Sequence, residues 1–319
     1  VGTLALLSES EQARIKGFVI NRFRGDISLL QSGLDWLEEY TGKPVLGVLP
    51  YLHGLHLDAE DALPQEKIQS NSQKFTVVVP VVPRISNHTD FDPLRVHPDI
   101  DFIYVRMGEA IPAADLIILP GSKSVRADLN FLKEHKWQKA IQRHLRFGGK
   151  VFGICGGYQM LGKVVNDPLG SEGEKGASEG FSLLNIETTL YKEKQLFNRE
   201  GRLLFGDVFV AGYEIHTGLS EGVDLQRPFL QYEADNSISY DGAISDCGNI
   251  AGTYWHGIFE KPEALQAILA WAGLETEQIV DFSAIREQQI DRLADAVEAN
   301  MDMNMVLELL DIKITKSVQ

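Results

Sequence analysis

Short apolar runs alternate with stretches of helical spacing along most of this chain. Residues 16–23 form one apolar run, residues 28–40 place Leu29, Leu30, Leu34, Trp36 and Leu37 at helical spacing, and residues 44–51 form a second run. That strand-helix-strand order predicts a parallel α/β sheet. Residues 65–74 are polar without periodicity and read as a linker. The rhythm then restarts, with strands predicted over 75–83, 102–105 and 115–120, a helix over 125–147 and a further strand ending near Ile154. Residues 181–260 read as short strands with glycine turns, among them 205–210, 213–216 and 252–256. The tail, 284–310, is helical by the spacing of Ile285, Ile290, Leu293, Ala296 and Val297, with Val306, Leu309 and Leu310 beyond.

Composition narrows the function classes. The chain has 319 residues, 44% of them hydrophobic, which is enough for one large or two ordinary domains with real cores. Thirty Lys and Arg against 45 Asp and Glu give a formal charge of −15, so no cationic excess is available to neutralise phosphates and no nucleic-acid partner is expected. No segment reaches the roughly 18 apolar residues of a membrane span, and no leader-like pattern is present, so a cytoplasmic protein with no membrane partner is expected. The two cysteines, Cys155 and Cys247, make neither a disulfide framework nor a zinc quartet. Because the chain starts at Val1 rather than Met, a fragment or processed product is expected.

Candidate chemistry concentrates at Cys155. The run Val151-Phe-Gly-Ile-Cys155 is strand-like and passes through Gly156-Gly157 into a helix-like Tyr158-Gln-Met-Leu-Gly162. Glycines on both sides permit the sharp turn that holds a side chain up at a strand end, the layout of a nucleophile elbow. A helix starting there would favour the thiolate. The competing reading is a buried structural cysteine. Of the 8 histidines, His256 is best placed as a base, because Thr253-Tyr-Trp-His-Gly257 reads as a strand ending in His-Gly. His135 and His144 lie in a polar helix pattern and are expected at the surface, while His53, His56 and His97 lie in loops. A Cys–His pair on an α/β sheet points to acyl transfer. Pro120-Gly-Ser-Lys123 follows a strand expected to neighbour the cysteine strand, so the Gly121 and Gly156 backbones are the candidate oxyanion donors. Cys247 lies in a polar turn and is given no catalytic role.

Pro120-Gly-Ser-Lys123, Gly153-Ile-Cys-Gly-Gly-Tyr-Gln-Met-Leu-Gly162 and Tyr254-Trp-His-Gly-Ile-Phe259 together resemble a triad-type (class I) glutamine amidotransferase domain. Within that group the chain resembles the cobyric acid synthase family of the cobalamin pathway. Three segments carry the finer match: Lys16-Gly-Phe-Val-Ile-Asn-Arg-Phe-Arg-Gly-Asp26, Pro83-Arg-Ile-Ser-Asn-His-Thr-Asp-Phe-Asp-Pro93 and Gly212-Tyr-Glu-Ile-His-Thr-Gly218. The resemblance covers essentially the whole chain.

The resemblance implies a flavodoxin-like amidotransferase domain over 75–275, helices on both faces of its mostly parallel sheet. Before it, residues 1–68 would be the C-terminal part of a dethiobiotin-synthetase-like ATP-dependent domain, and 276–319 would be a helical extension. Cys155 would attack the glutamine amide, His256 would shuttle protons, and the released ammonia would amidate a corrinoid, adenosylcobyrinic acid a,c-diamide, on carboxylates activated by ATP and Mg²⁺. No tightly bound cofactor is implied. The family triad places a Glu two residues after the histidine, where this chain has Ile258; Glu260 is the nearest acid. Glu214, with His216 beside it, is the candidate third member or substrate contact. Asp58, Glu60 and Asp61 are candidates for the magnesium and ATP side. The phosphate loop Gly-x-x-x-x-Gly-Lys-Ser/Thr does not occur in residues 1–319, so this polypeptide is expected to be at most a weak glutaminase that does not amidate a corrinoid alone. Oligomeric state is left open. The alternatives are the glutaminase subunit of another amidoligase, such as a cell-wall amidotransferase, a peptidase or chaperone-like relative, and a non-catalytic binding module.

Overall fold

A computed structural model describes residues 1–55 and 74–310, with side chains at all of these except 192–195. The expected linker and Asp58, Glu60 and Asp61 therefore lie outside the described residues, apart from Lys74. The chain divides into two compact units, one of residues 1–57 and 284–319 and one of residues 58–283.

In the first unit, strands Phe18–Phe23 and Val45–Pro50 pair in parallel, joined by a 3-10 turn at Ile27–Leu29 and the helix Gln31–Thr41. This is the predicted strand-helix-strand order. The C-terminal residues pack on the same strands: Asp302 N–H donates to the Leu46 carbonyl at 2.8 Å, and Met301 bridges to Gly47. A Cβ on Gly47 would lie 2.4 Å from the Asn300 carbonyl oxygen, so this contact requires a glycine. Helices Phe282–Asn300 and Met303–Leu309 break at Asp302, whose carboxylate caps the second one through the Met305 N–H. Most of the expected C-terminal extension thus shares a unit with the N-terminal residues.

The second unit is built on a six-stranded sheet in the order Ala243–Ile244, Ile250–Thr253, Lys150–Ile154, Leu116–Leu119, Phe75–Pro80, Ile100–Val105. All neighbours are parallel except the short Ala243–Ile244 edge. Counting the parallel strands along the chain gives the order 2-1-3-4-5, the flavodoxin-like α/β arrangement. Both faces are covered, which is why its strands read as continuous apolar runs. Val78, Ile117, Leu119 and Val151 pack with Leu129, Leu132 and Ile141 of helices Val125–Glu134 and Trp137–Arg146. Residue 152 faces the other way, where Phe152 meets Phe229, Phe259 and Trp271 at ring-centroid distances of 5.1, 6.2 and 6.1 Å. The predicted helix 125–147 is interrupted, because the first helix ends at His135 and Lys136 adopts a left-handed φ of 61°.

A second sheet grows from the other end of the unit. Its spine is a long antiparallel hairpin, Ile186–Leu203 with Val208–Gly222, where sequence periodicity suggested only short strands. The predicted 205–210 strand instead begins in the hairpin turn, with Gly206 and Asp207 at positive φ. The two-residue strand Trp255–His256 leaves the end of the central sheet and pairs antiparallel with Tyr213 and Glu214 of this hairpin. Phe152→Ala should open a cavity where this fully buried ring packs and cost about 3–5 kcal/mol, read as a lower denaturant midpoint in unfolding followed by tryptophan fluorescence.

Candidate active site

The central strands 116–119, 150–154 and 250–253 run side by side in parallel, with Leu119 opposite Gly153 and Thr253 opposite Ile154. Their C-terminal ends therefore deliver Gly121, Cys155 and His256 to one edge. The Cys155 amide donates to the Thr253 carbonyl at 2.8 Å, the last rung before the chains part.

Cys155 has φ 49° and ψ −108°, a conformation that an L-residue holds only when its surroundings impose it. They do so through close backbone contact. A Cβ on Gly157 would sit 2.1 Å from the Leu119 carbonyl oxygen, and one on Gly153 would sit 2.7 Å from Tyr158 Cα. Larger residues would push helix Gly156–Leu161 off the sheet and relax the elbow. The thiol is nearly buried, and Sγ donates to the Ile215 carbonyl at 3.6 Å.

His256 is fully buried and stacks on Tyr213, with ring centroids 5.3 Å apart and planes at 22°. Its Nδ1 lies 2.6 Å from Asp90 Oδ2, while Asp90 Oδ1 accepts the Gly257 N–H at 2.8 Å. Asp90 is only 4% exposed. Burial alone would lower the basicity of the imidazole, but the Asp90 charge and hydrogen bond, followed by Cys155, overcome it and raise the ring to about 10. Nε2 is buried without a hydrogen bond of ordinary geometry.

The loop expected to face the oxyanion stands beside both groups. A Cβ on Gly121 would lie 2.9 Å from His256 Cε1, and one on Gly156 would lie 2.8 Å from the Ser122 nitrogen. Residues Gly121–Ser122 pair with Ile85–Ser86, and Ser122 Oγ donates to the buried Asp128 at 2.6 Å. Gly121 and Gly156 are thus brought to the cysteine and histidine they were expected to serve.

Glu214 is placed elsewhere. Its Oε1 is 2.6 Å from His216 Nε2 and its Oε2 accepts from Arg199 Nε at 3.1 Å. Burial opposes its charge, but those two partners hold its carboxyl below the ordinary value. His216 stacks on Tyr254 at 3.9 Å. Glu214 therefore does not hold His256; Asp90, 166 residues before the histidine, does. No spacing rule links positions 90 and 256. The only sequence signal is the Ser86–Asp92 run, which carries family likeness and suggests no chemistry by its spacing. Glu260 is exposed and follows the histidine in a turn, its N–H donating to the Gly257 carbonyl.

Other histidines are engaged structurally. His135 and His144, expected at the surface, are half-buried and contact the carbonyls of Phe131 and Lys150 at 2.9 and 2.8 Å. His97 is buried and accepts from the Asp99 N–H. His53 stands edge-on to the Tyr51 ring, and His56 lies outside the described residues. Cys247 is exposed, beside Ser245. Among the described residues no three His, Cys, Asp or Glu side chains converge as a metal site, and no helix is long and apolar enough to cross a membrane.

The helix that follows the 121–124 loop is capped by an acid. Glu172 Oε2 accepts the Arg126 N–H at 3.3 Å, and burial pushes the Glu172 carboxyl up to about 7 despite that bond. A carboxyl raised on folding favours the fold most while it is protonated, below its unfolded value, and less as pH climbs through the folded value. Stability should therefore fall between pH 4.5 and about 7. Glu172→Gln should flatten that slope, measured by thermal unfolding across the same interval.

A family model described as a CobB/CobQ-like glutamine amidotransferase domain matches residues 76–264. Several solved structures are similar over most of their own length. PurLQS from Thermotoga maritima is 17% identical, with 62% of this chain and 99% of that chain covered and a TM-score of 0.47. A glutamine amidotransferase from the same organism is 14% identical, covering 75% and 98%, with a TM-score of 0.40. A glutamine amidotransferase from Methylobacillus flagellatus is 15% identical, covering 58% and 70%, with a TM-score of 0.38.

Proposed function

Since this chain belongs to the family of CobB/CobQ-like glutamine amidotransferase domains, we propose that Cys155 and His256 release ammonia from glutamine for the amidation of a corrinoid carboxylate, as in cobyric acid synthase. The observation that carries the first half is the Cys155 elbow, strained at φ 49° and set on the same sheet edge as a buried imidazole. Strain of that kind persists at functional sites because the surroundings enforce it.

The thiolate of Cys155 adds to the side-chain carbonyl carbon of glutamine, and the carbonyl electrons move onto oxygen, facing the Gly121 and Gly156 backbones. His256, as imidazolium, gives its proton to the amide nitrogen, which departs as ammonia when the carbonyl re-forms. The product is a γ-glutamyl thioester. Water then adds to that carbonyl as neutral His256 takes its proton, and glutamate leaves as the thiolate is restored. The raised basicity of His256 supports this reading, because an imidazole that retains its proton stabilises the adjacent thiolate.

The finer assignment, adenosylcobyrinic acid a,c-diamide as acceptor with ATP and Mg²⁺ as activators, is supported by the segments 16–26, 83–93 and 212–218. The candidate magnesium and ATP residues Asp58, Glu60 and Asp61 lie outside the described residues.

Purified protein should release ammonia from glutamine, and Cys155→Ala should lose this activity by about 10³-fold or more. A diazoketone analogue of glutamine should label Cys155 stoichiometrically in the folded protein. Retained hydrolysis in Cys155→Ala would reject the nucleophile. The acceptor is tested separately: with ATP, Mg²⁺ and a phosphate-loop synthetase domain supplied in trans, mass spectrometry should show corrinoid carboxylates converted stepwise to amides, and a corrinoid left unchanged would reject that half alone.

A further inference from the structure

Asp90 reaches the active site from a segment that no spacing argument connects to it. Ser86-Asn-His-Thr-Asp-Phe-Asp92 continues from the short strand Ile85–Ser86, adopts a left-handed φ of 50° at Asn87, and closes into the 3-10 turn His88–Phe91. The turn aims the Asp90 carboxylate inward. One oxygen meets His256 Nδ1 at 2.6 Å and the other accepts the Gly257 N–H at 2.8 Å. The two oxygens meet adjacent residues, one each, so the carboxylate fixes the imidazole ring and the backbone beside it. Asp90 and His256 are, respectively, 4% and 0% exposed, so water does not compete for the bond.

Resting on the glutaminase reading above, we propose that Asp90 is the third member of the catalytic group, a positioning residue that holds the proton on His256 Nδ1. With that proton fixed, Nε2 is the nitrogen that receives and returns protons at the thiol and the leaving amide. A chain with Ile258 where related triads carry an acid is therefore complete, its acid supplied from the other end of the domain. The groups facing His256 agree with a local role. Tyr213 stacks on one side of the ring, Gly121 approaches Cε1, and Asp90 is the carboxylate in hydrogen-bond contact with it. Of the other buried carboxylates nearby, Glu214 is committed to His216 and Arg199, and Asp92 to Arg95.

The same segment sets the oxyanion side. Ser86 pairs with Gly121, Ile85 with Ser122, and the Lys123 N–H donates to the Arg84 carbonyl at 2.9 Å. One short stretch, 84–90, thus registers the base and the loop opposite it, and that is the arrangement a positioning acid requires.

Asp90→Asn keeps the shape and the Gly257 acceptor but presents an N–H₂ to Nδ1, forcing the ring into the opposite tautomer. It should lower kcat for glutamine hydrolysis by about 10²- to 10⁴-fold with little change in KM. The alkaline limb of the pH–rate profile should also move to lower pH, because the charge that raises His256 is gone. A variant that folds, hydrolyses glutamine at the native rate and keeps the native profile would overturn the proposal. If Cys155→Ala is inactive in the same assay, the glutaminase reading survives that result; if it is active, the reading itself fails. Nitrogen-15 histidine NMR of the unmodified protein supplies a second readout that needs no variant. A strongly downfield proton on His256 Nδ1 at neutral pH is expected, and an unprotonated Nδ1 would overturn the assignment.

Discussion

The site depends on the parallel register between strands 150–154 and 250–253. That ladder ends with Thr253 opposite Ile154 and with the Cys155 amide on the Thr253 carbonyl. A slip of one residue would send every side chain beyond it to the opposite face. Because both strands are buried on both sides, the apolar packing that holds the register is the packing that stabilises the domain. The geometry of the thiol is therefore inherited from the core and not from the loop that carries it.

Three departures from that edge then differ in how they are held. The cysteine turn is enforced by close backbone approach, with Gly157 against the Leu119 carbonyl. The histidine is pulled into the second sheet by its pairing with Tyr213. The 121–122 loop is pinned by the 85–86 pair and by Ser122 on Asp128. Rigid elements supply all three anchors, and such sites are more reproducible than sites built from free loops.

Much of this was legible in the residues themselves. The strand-helix-strand order announced a parallel sheet, and Gly153, Gly156 and Gly157 announced the elbow, because close approach leaves its mark as absent side chains. His256 was legible because a strand-ending His-Gly is local. Asp90 was not, since its partner lies 166 positions away and the turn that aims it has no periodicity. Glu214 was misleading for a related reason. It lies in register with Trp255, one residue from the histidine, yet its carboxylate is engaged by Arg199 and His216. The long hairpin was also missed, because its half-exposed strands do not alternate cleanly.

The bond between Asp90 and His256 joins the opening of the domain to its close. Closing a loop of that length costs chain entropy, which grows only slowly with the number of residues enclosed. The segment up to Cys155 already holds Asp90 but lacks His256, so the three side chains are brought together only when strand Ile250–Thr253 docks beside Lys150–Ile154.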